Sequence, residues 1–173
     1  MKKIYLILIL LGICYLPAVS QQTTGGFPPL VINGVDYDQP SVDSAEFIEL
    51  YNAGSTPINL GDYTVVLFNG NAASNSLYDS IALPATTLNP GSFFVICGGG
   101  GKVPLCDLAR VIVSNMIQNG APDAIGIRDN NSLSLIDVVS YEGDCIAPYL
   151  EGTGILDADT LQADSIGGKY LSI

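Results

Sequence analysis

Short β-rich runs divided by turn residues set the tightest limit on how this chain can fold. The runs recur at intervals close to the roughly 8 to 12 residues that are typical of a β-sandwich or barrel. We predict strands over residues 30–35, 46–52, 63–69, 77–83, 92–97, 110–114, 124–128 and 133–141. Long helical periodicity is absent, which argues against a helical body. Strands of this number suffice for two packed sheets.

Two of the segments show the alternation expected when every second side chain of a strand points inward. In segment 46–51, one face carries Glu46, Ile48 and Leu50, and the other carries Phe47, Glu49 and Tyr51. In segment 124–128, Ile125 and Ile127 alternate with Ala124, Gly126 and Arg128. Asn-Gly pairs at 33–34, 69–70 and 119–120 offer the positive φ angles that tight turns need. These patterns indicate half-buried strands joined by tight turns.

The length of 173 residues fits one domain of the usual size of about 100 to 200 residues. We divide the chain into a signal peptide over residues 1–20, a flexible leader over 21–29, the β-sandwich over 30–144 and an irregular C-terminal segment over 145–173. The C-terminal segment is dominated by Gly, Asp and small residues, with room for one edge strand.

The first segment has the three parts of a secretory signal peptide. A positively charged start precedes an apolar run over residues 4–13, and Ala18 and Ser20 supply the small residues that a signal peptidase reads. A transmembrane anchor would need roughly 20 continuous apolar residues, and the run is too short. We therefore predict secretion, with cleavage before Gln21 and no membrane span in the mature chain.

Composition excludes several classes of function. The chain has 6 Lys and Arg residues against 17 Asp and Glu residues and a net charge of −11. This balance is unfavourable for a nucleic-acid surface, because Lys and Arg are needed to neutralise phosphates. There is no His, which excludes Ser-His-Asp and Cys-His catalysis and His-ligated zinc. The glycine run at 98–101 lacks the remaining residues of a phosphate-binding loop, so no cofactor is expected.

Acidic clusters raise the alternative of a calcium site, because Ca²⁺ prefers oxygen ligands. Asp36, Asp38 and Asp43 lie in one predicted loop, and Asp157, Asp159 and Asp164 lie in another. Neither cluster matches the twelve-residue calcium loop, so we expect solvated acids and no bound metal. Glu46 and Glu49 fail as a carboxylate pair for glycoside hydrolysis, because residues three apart in a strand point to opposite faces.

Several ordered motifs resemble the lamin tail domain family. The segments EFIELYN at 46–52 and INLGDYT at 58–64 resemble its opening motifs, and IQNGAPD at 117–123 and IDVVSYEGD at 136–144 are similar to its secreted bacterial branch. The resemblance covers about residues 30–144. It implies an immunoglobulin-like β-sandwich, in agreement with the predicted strands. It also implies an accessory or interaction module without catalytic residues of its own.

The cysteine count predicts one disulfide and one remaining thiol. The chain has 4 Cys, of which Cys14 lies in the signal peptide, so the exported protein keeps an odd number in an oxidising compartment. Cys97 and Cys106 flank a glycine-rich loop flexible enough to bring their Cα atoms within the roughly 4.4 to 6.8 Å of a disulfide. We predict that pair. Cys145 is then either buried and idle or available for an intermolecular bond.

Together these observations predict an all-β, immunoglobulin-like β-sandwich of about eight short strands that is secreted and is not an enzyme. The predicted function is binding of a protein or a surface ligand, with partner identity and oligomeric state left open. Two alternatives remain at this point. One is a calcium-supported extracellular adhesin for carbohydrate or matrix, and the other is a small carboxylate-dependent hydrolase.

Overall fold

The structure is a computed structural model that describes residues 28–39, 42–70 and 76–150 and the short strand Leu171–Ser172. The predicted signal peptide and nearly all of the leader lie outside the described residues. The second acidic cluster, at Asp157, Asp159 and Asp164, lies outside them as well. The described residues contain no helix with the length and apolar character that a membrane crossing requires.

Strands form most of the regular structure in the described part of the chain. In chain order they are β1 (Leu30–Asp36), β2 (Phe47–Asn52), β3 (Ile58–Asn59), β4 (Tyr63–Asn69), β5 (Ser76–Ala82), β6 (Thr87–Leu88), β7 (Phe93–Cys97), β8 (Leu108–Ala109), β9 (Asp123–Asp129), β10 (Leu135–Tyr141) and β11 (Leu171–Ser172). A single turn of 3-10 helix, Leu60–Asp62, leads into β4.

The long strands form two sheets. The first has five strands in the order β11-β1-β2-β7-β8, and the second has four in the order β10-β9-β4-β5. All pairs are antiparallel except β7 with β8, which is parallel. The small strands β3 and β6 form a separate ladder. The predicted all-β sandwich is confirmed.

One hydrophobic core lies between the two sheets, and alternation selects its members. On β2, Ile48 and Leu50 are fully buried, while Phe47, Glu49 and Tyr51 are only partly buried. From the opposite sheet, Val65 and Leu67 of β4 and Ile125 and Ile127 of β9 are also fully buried. Each such side chain contributes about 1.5 to 3 kcal/mol relative to exposure, so this core is the main stabilising feature of the sandwich.

Asn52, the last residue of β2 and of its sequence motif, closes the turn that follows. Its side-chain amide donates hydrogen bonds to the carbonyl oxygens of Thr56 at 3.0 Å and Leu88 at 2.9 Å. Its side-chain oxygen accepts from the Gly54 N–H at 2.9 Å. Asn52 is fully buried, and these bonds meet the hydrogen-bonding requirement of a buried amide.

The strand predicted over residues 110–114 is wrong. The edge position beside β7 is occupied by β8, which lies just upstream. Asp107 fixes that register, because its N–H donates to the Val95 carbonyl at 2.9 Å and its side chain accepts from the Val95 N–H at 2.8 Å. The β-branched residues that follow form no ladder with any strand of the described residues, and strand propensity alone does not create one.

Candidate functional site

The site begins with the disulfide between Cys97 and Cys106, whose Cα atoms lie 6.0 Å apart. The structure thus contains the pair expected from the sequence. Cys97 ends β7, so the disulfide ties the loop that follows to the edge of the five-stranded sheet. The short strand β8 then runs parallel to β7, with Ile96 opposite Leu108.

The glycine run at 98–101 allows two backbone segments to approach each other closely. The Gly98 N–H donates to the Glu46 carbonyl at 3.1 Å, and the Gly99 N–H donates to the Ile112 carbonyl at 2.6 Å. A Cβ atom on Gly99 would lie 2.4 Å from the Arg110 carbonyl oxygen. This is closer than van der Waals contact allows, so the backbone can take this path only with glycine at position 99. The run therefore serves backbone packing, in keeping with the absence of a phosphate-loop motif.

Arg110 links the edges of the two sheets. Its backbone N–H donates to the Cys97 carbonyl at 2.8 Å, and its guanidinium pairs with the Asp79 carboxylate of β5 at 2.7 Å. Both side chains are about a quarter exposed, at 25% and 26%, so the pair orients β8 against β5 more than it stabilises the fold.

An exposed apolar run follows directly. Val111 is 97% exposed, Ile112 42% and Val113 60%. The run is held at its centre by the bond from Gly99 to Ile112 and beyond its end by the bond from the Asn115 N–H to the Asp43 carbonyl at 3.0 Å. Its side chains are thus presented to solvent by a backbone that is tied down on both sides.

A groove lies beside this 111–113 run, between the edge strands β5 and β8. It has a volume of about 310 Å³ and is lined by Ile81 and Ala82 of β5 and by residues 108–112. The lining is almost entirely apolar, with Arg110 as its one charged member. We refer to it as the edge groove. The 111–113 run and the edge groove together form the candidate binding surface.

Glu46 holds the segment after the run against the core. The carboxylate is fully buried and accepts hydrogen bonds from the N–H groups of Met116 at 2.6 Å and Ile117 at 2.9 Å. Burial raises the pKa of Glu46 to about 7, although the two backbone hydrogen bonds act in the opposite direction. This role was not predicted from the sequence. A signal for it exists in the spacing, since Glu46 falls on the same side of the segment as Ile48 and Leu50.

The two candidate hydrolytic carboxylates lie apart, as predicted. Glu46 faces the core, whereas the Glu49 carboxylate accepts a hydrogen bond from the Asn33 side chain at 2.7 Å on the other face of the sheet. Each carboxylate is occupied by structural hydrogen bonds, and the two do not converge on one point.

The first acidic cluster is more buried than a solvated loop would be. Asp36 and Asp43 are 6% and 8% exposed, and burial raises the pKa of Asp36. The Asp43 carboxylate accepts from the Gln39 N–H at 2.8 Å and from the Asn119 side chain at 2.9 Å, so it organises the loop. Among the described residues, no group of three or more acidic or other metal-binding side chains is arranged to hold a metal ion.

Cys145 has no disulfide partner and is only 4% exposed. It packs with Phe68 and Ala124 on the outer side of the four-stranded sheet. Burial raises the pKa of its thiol, which opposes formation of the reactive thiolate. Of the two sequence-based alternatives for this residue, the geometry favours the buried structural side chain.

Similarity to curated proteins and to solved structures is low. The chain has no significant match among curated proteins. It is similar to the crystal structure of a Bacteroides uniformis β-glucuronidase at 12% identity and a TM-score of 0.36, covering 66% of this chain and 14% of that chain. It is also similar to a calcium-binding mutant of Bacteroides uniformis β-glucuronidase 2 at 12% identity and a TM-score of 0.37, with the same coverage of 66% and 14%. Likenesses this weak support no statement about activity.

The match to a protein-family model covers most of the chain. The model of the Lamin Tail Domain family matches residues 23–143. This range includes every long strand of both sheets and the four segments that resemble the family in sequence, apart from the last residue of the fourth. The chain belongs to the lamin tail domain family.

Proposed function

We propose that this protein is a secreted, non-catalytic binding module that engages a protein partner through the 111–113 run and the edge groove. The observation that carries the proposal is the exposure of Val111, at 97%, within a run of three apolar residues. Exposed contiguous apolar surface rimmed by polar residues is typical of interaction sites.

The rigidity of this surface supports binding. The backbone on either side is fixed by the hydrogen bonds of Gly99, Arg110 and Asn115, and the disulfide shortens the loop that leads into it. A surface that is already ordered loses less conformational entropy when it binds. The two-residue strand β8 also leaves only a short sheet edge, which limits non-specific pairing of strands.

Electrostatics indicate the character of the partner. The chain has a net charge of −11, and the one charge lining the edge groove, that of Arg110, is paired with Asp79. Apolar contact would therefore provide most of the binding energy, with the net negative charge of the chain favouring a partner whose own surface is neutral or basic.

Two further features support a secreted and non-catalytic role. The chain lacks His, and its candidate carboxylate pair is divided between the two faces of one sheet. The signal-peptide pattern of the first twenty residues and the disulfide are both typical of exported proteins. No observation favours the calcium-supported adhesin over this reading.

The proposal is tested with mature protein immobilised and exposed to its native extracellular medium. Val111→Asp removes the most exposed apolar side chain of the run, and Ile146→Asp, at a side chain that is 54% exposed elsewhere, makes the same charge change as a matched control. We expect a partner that is retained by wild type and the control and bound at least tenfold more weakly by Val111→Asp, the size of effect seen at interface hot spots of roughly 1.4 kcal/mol or more.

Two outcomes would contradict the proposal. In the first, wild type, Val111→Asp and Ile146→Asp would all retain the same proteins. In the second, Ile146→Asp would weaken binding of the partner as much as Val111→Asp does. Sedimentation of the purified protein adds a separate check, since a dimer that dissociates in Val111→Asp would show that the surface joins two copies of this chain rather than a different partner.

A further inference from the structure

A second groove lies on the outer face of the four-stranded sheet, away from the candidate binding surface. It has a volume of about 710 Å³ and is bordered by β10, by Arg128 of β9 and by residues 148–150. We propose that this groove, here called the Arg128 groove, binds a small monocarboxylic acid with an apolar body. The proposal is independent of the function proposed above, because the two surfaces share no residue.

Arg128 supplies the charge for this site. Because Ile125 and Ile127 point into the core, alternation along β9 places the Arg128 side chain on the outer face. The other two cations of the described residues have partners: Lys102 donates to the Ser44 hydroxyl at 2.6 Å, and Arg110 pairs with Asp79 at 2.7 Å. A buried Nε without a partner is common to Arg110 and Arg128. Arg128 differs in that its guanidinium makes no hydrogen bond or ion pair at all within the described part of the chain.

The terminal nitrogens of Arg128 have no acceptor among the described residues, and a bound anion would supply one. In a chain with 17 acidic residues and 6 basic ones, intramolecular carboxylate partners are plentiful. An arginine without a partner in the described part of the chain, at the border of a groove, is therefore a candidate ligand-binding group. Its planar guanidinium presents parallel N–H donors that match the two oxygens of a carboxylate.

The walls of the groove suit an apolar body. Most of the lining side chains are apolar: Val66, Leu135, Val138, Pro148, Tyr149 and Leu150. The Tyr149 ring stacks on Phe68 with centroids 3.7 Å apart and planes 10° from parallel, so the position of the Tyr149 ring is fixed by Phe68. The volume is within the roughly 300 to 1,000 Å³ of small-molecule sites.

The second charge in the groove limits the charge of the ligand. Asp137 also lines it, with one carboxylate oxygen accepting the Ile32 N–H at 2.6 Å. That bond ties the Asp137 carboxylate to β1 of the opposite sheet, so Arg128 is the main charge available to a ligand. A single arginine in a protein with a net charge of −11 offsets one negative charge, which disfavours dianions such as phosphate esters. A single negative charge satisfies Arg128 without excess repulsion, and this selects a monocarboxylate.

The test is titration calorimetry of the mature protein with three probes that share a phenyl ring: 3-phenylpropionate, its neutral amide and phenyl phosphate. We expect 3-phenylpropionate to bind at least tenfold more tightly than either of the other two, because a charge-assisted hydrogen bond contributes about this much. Comparison of the probes on the wild-type protein requires no variant and so does not depend on how any variant folds.

Variants then locate the site. Arg128→Gln should abolish the preference for the acid over the amide, and Lys102→Gln, which removes the same charge elsewhere, should leave it unchanged. Arg128→Lys should restore only part of it, because an ammonium group lacks the planar pair of donors. Equal affinity for acid and amide, tighter binding of the phosphate, absence of binding by all three probes, or an unchanged preference in a folded Arg128→Gln protein would each overturn the proposal.

Discussion

At the scale of single residues, the buried Glu46 carboxylate shows how an acid directly before a strand can fix a distant loop. It accepts two backbone hydrogen bonds from Met116 and Ile117, at 2.6 and 2.9 Å, across a sequence separation of 70 or 71 residues. Buried backbone donors require partners, and Glu46 supplies both acceptors with one side chain. The loop that presents the apolar 111–113 run is therefore anchored by a residue outside the candidate binding surface.

Replacing Glu46 by Gln should destabilise the protein. The Gln side chain retains one acceptor but directs an NH₂ group at the second backbone N–H, which then lacks a partner. We expect a loss of about 1 to 3 kcal/mol in the free energy of unfolding, measured by urea denaturation at pH 8. Glu49→Gln is the matched control, since Glu49 is only partly buried, and an equal loss in the two variants would contradict this account.

At the scale of elements, the segment from β7 through β8 combines a disulfide, a glycine run and a short parallel strand pair. Each of these is local, yet together they decide which residues of the following stretch are exposed. The disulfide and Asp107 place β8 at the sheet edge. Residues 111–113 lie beyond the end of β8, and their apolar side chains face solvent.

Removing the disulfide should lower stability without altering the core. For Cys97→Ser with Cys106→Ser, we expect a loss of about 2 to 3 kcal/mol from the added entropy of the unfolded chain. Denaturant unfolding should give the same midpoint for this variant and for wild type under reducing conditions. A variant as stable as the oxidised wild type would show that the bond does not contribute to stability.

The glycine at position 99 should be essential to the same element. Gly99→Ala places a Cβ atom 2.4 Å from the Arg110 carbonyl oxygen, whereas at Gly98 the nearest atom to an added Cβ is 3.5 Å away. We therefore expect Gly99→Ala to lower the melting temperature, with a cost of about 1 to 3 kcal/mol from the forced backbone shift, and Gly98→Ala to have a much smaller effect. Thermal unfolding of the pair measures the difference directly, and similar melting temperatures would refute the close approach.

At the scale of the whole molecule, several buried acids link stability to pH. Burial raises the pKa of Glu46 from 4.5 to about 7 and that of Asp123 from 3.8 to about 6. The folded protein therefore holds protons that the unfolded chain has already released. This stabilisation is fully present below the ordinary pKa values and is lost as pH rises through the folded ones.

The free energy of unfolding should consequently be higher near pH 5 than near pH 8. Asp129, whose pKa is lowered by backbone hydrogen bonds from Ser132 and Asn131, has the opposite effect only in more acidic solution. Asp123→Asn keeps an acceptor for the Gly70 N–H and should flatten the dependence below pH 7. Urea unfolding across this range measures the slope, and a rise in stability from pH 5 to pH 8 would contradict the prediction.

Sequence alone determined the properties that depend on neighbouring residues. Alternation along a strand is local, so the strand at 63–69 was predicted with its observed bounds and the two faces of segment 46–51 were separated correctly. Which of those two faces points into the core was decided by the packing of the sheets. The disulfide across a short glycine-rich loop could also be predicted, because closing a short loop needs no knowledge of the remaining fold.

Only the tertiary structure decided the properties that depend on distant partners. Residues 110–114 have strand-like composition, but they pair with no strand in the described part of the chain, and residues 111–113 are exposed. Glu46 required donors from Met116 and Ile117 to become an anchor. Arg128 became a candidate site because no described residue provides it with such a partner. Whether a side chain is satisfied, buried or exposed depends on what other elements bring to it, and the spacing of residues along the chain does not encode that.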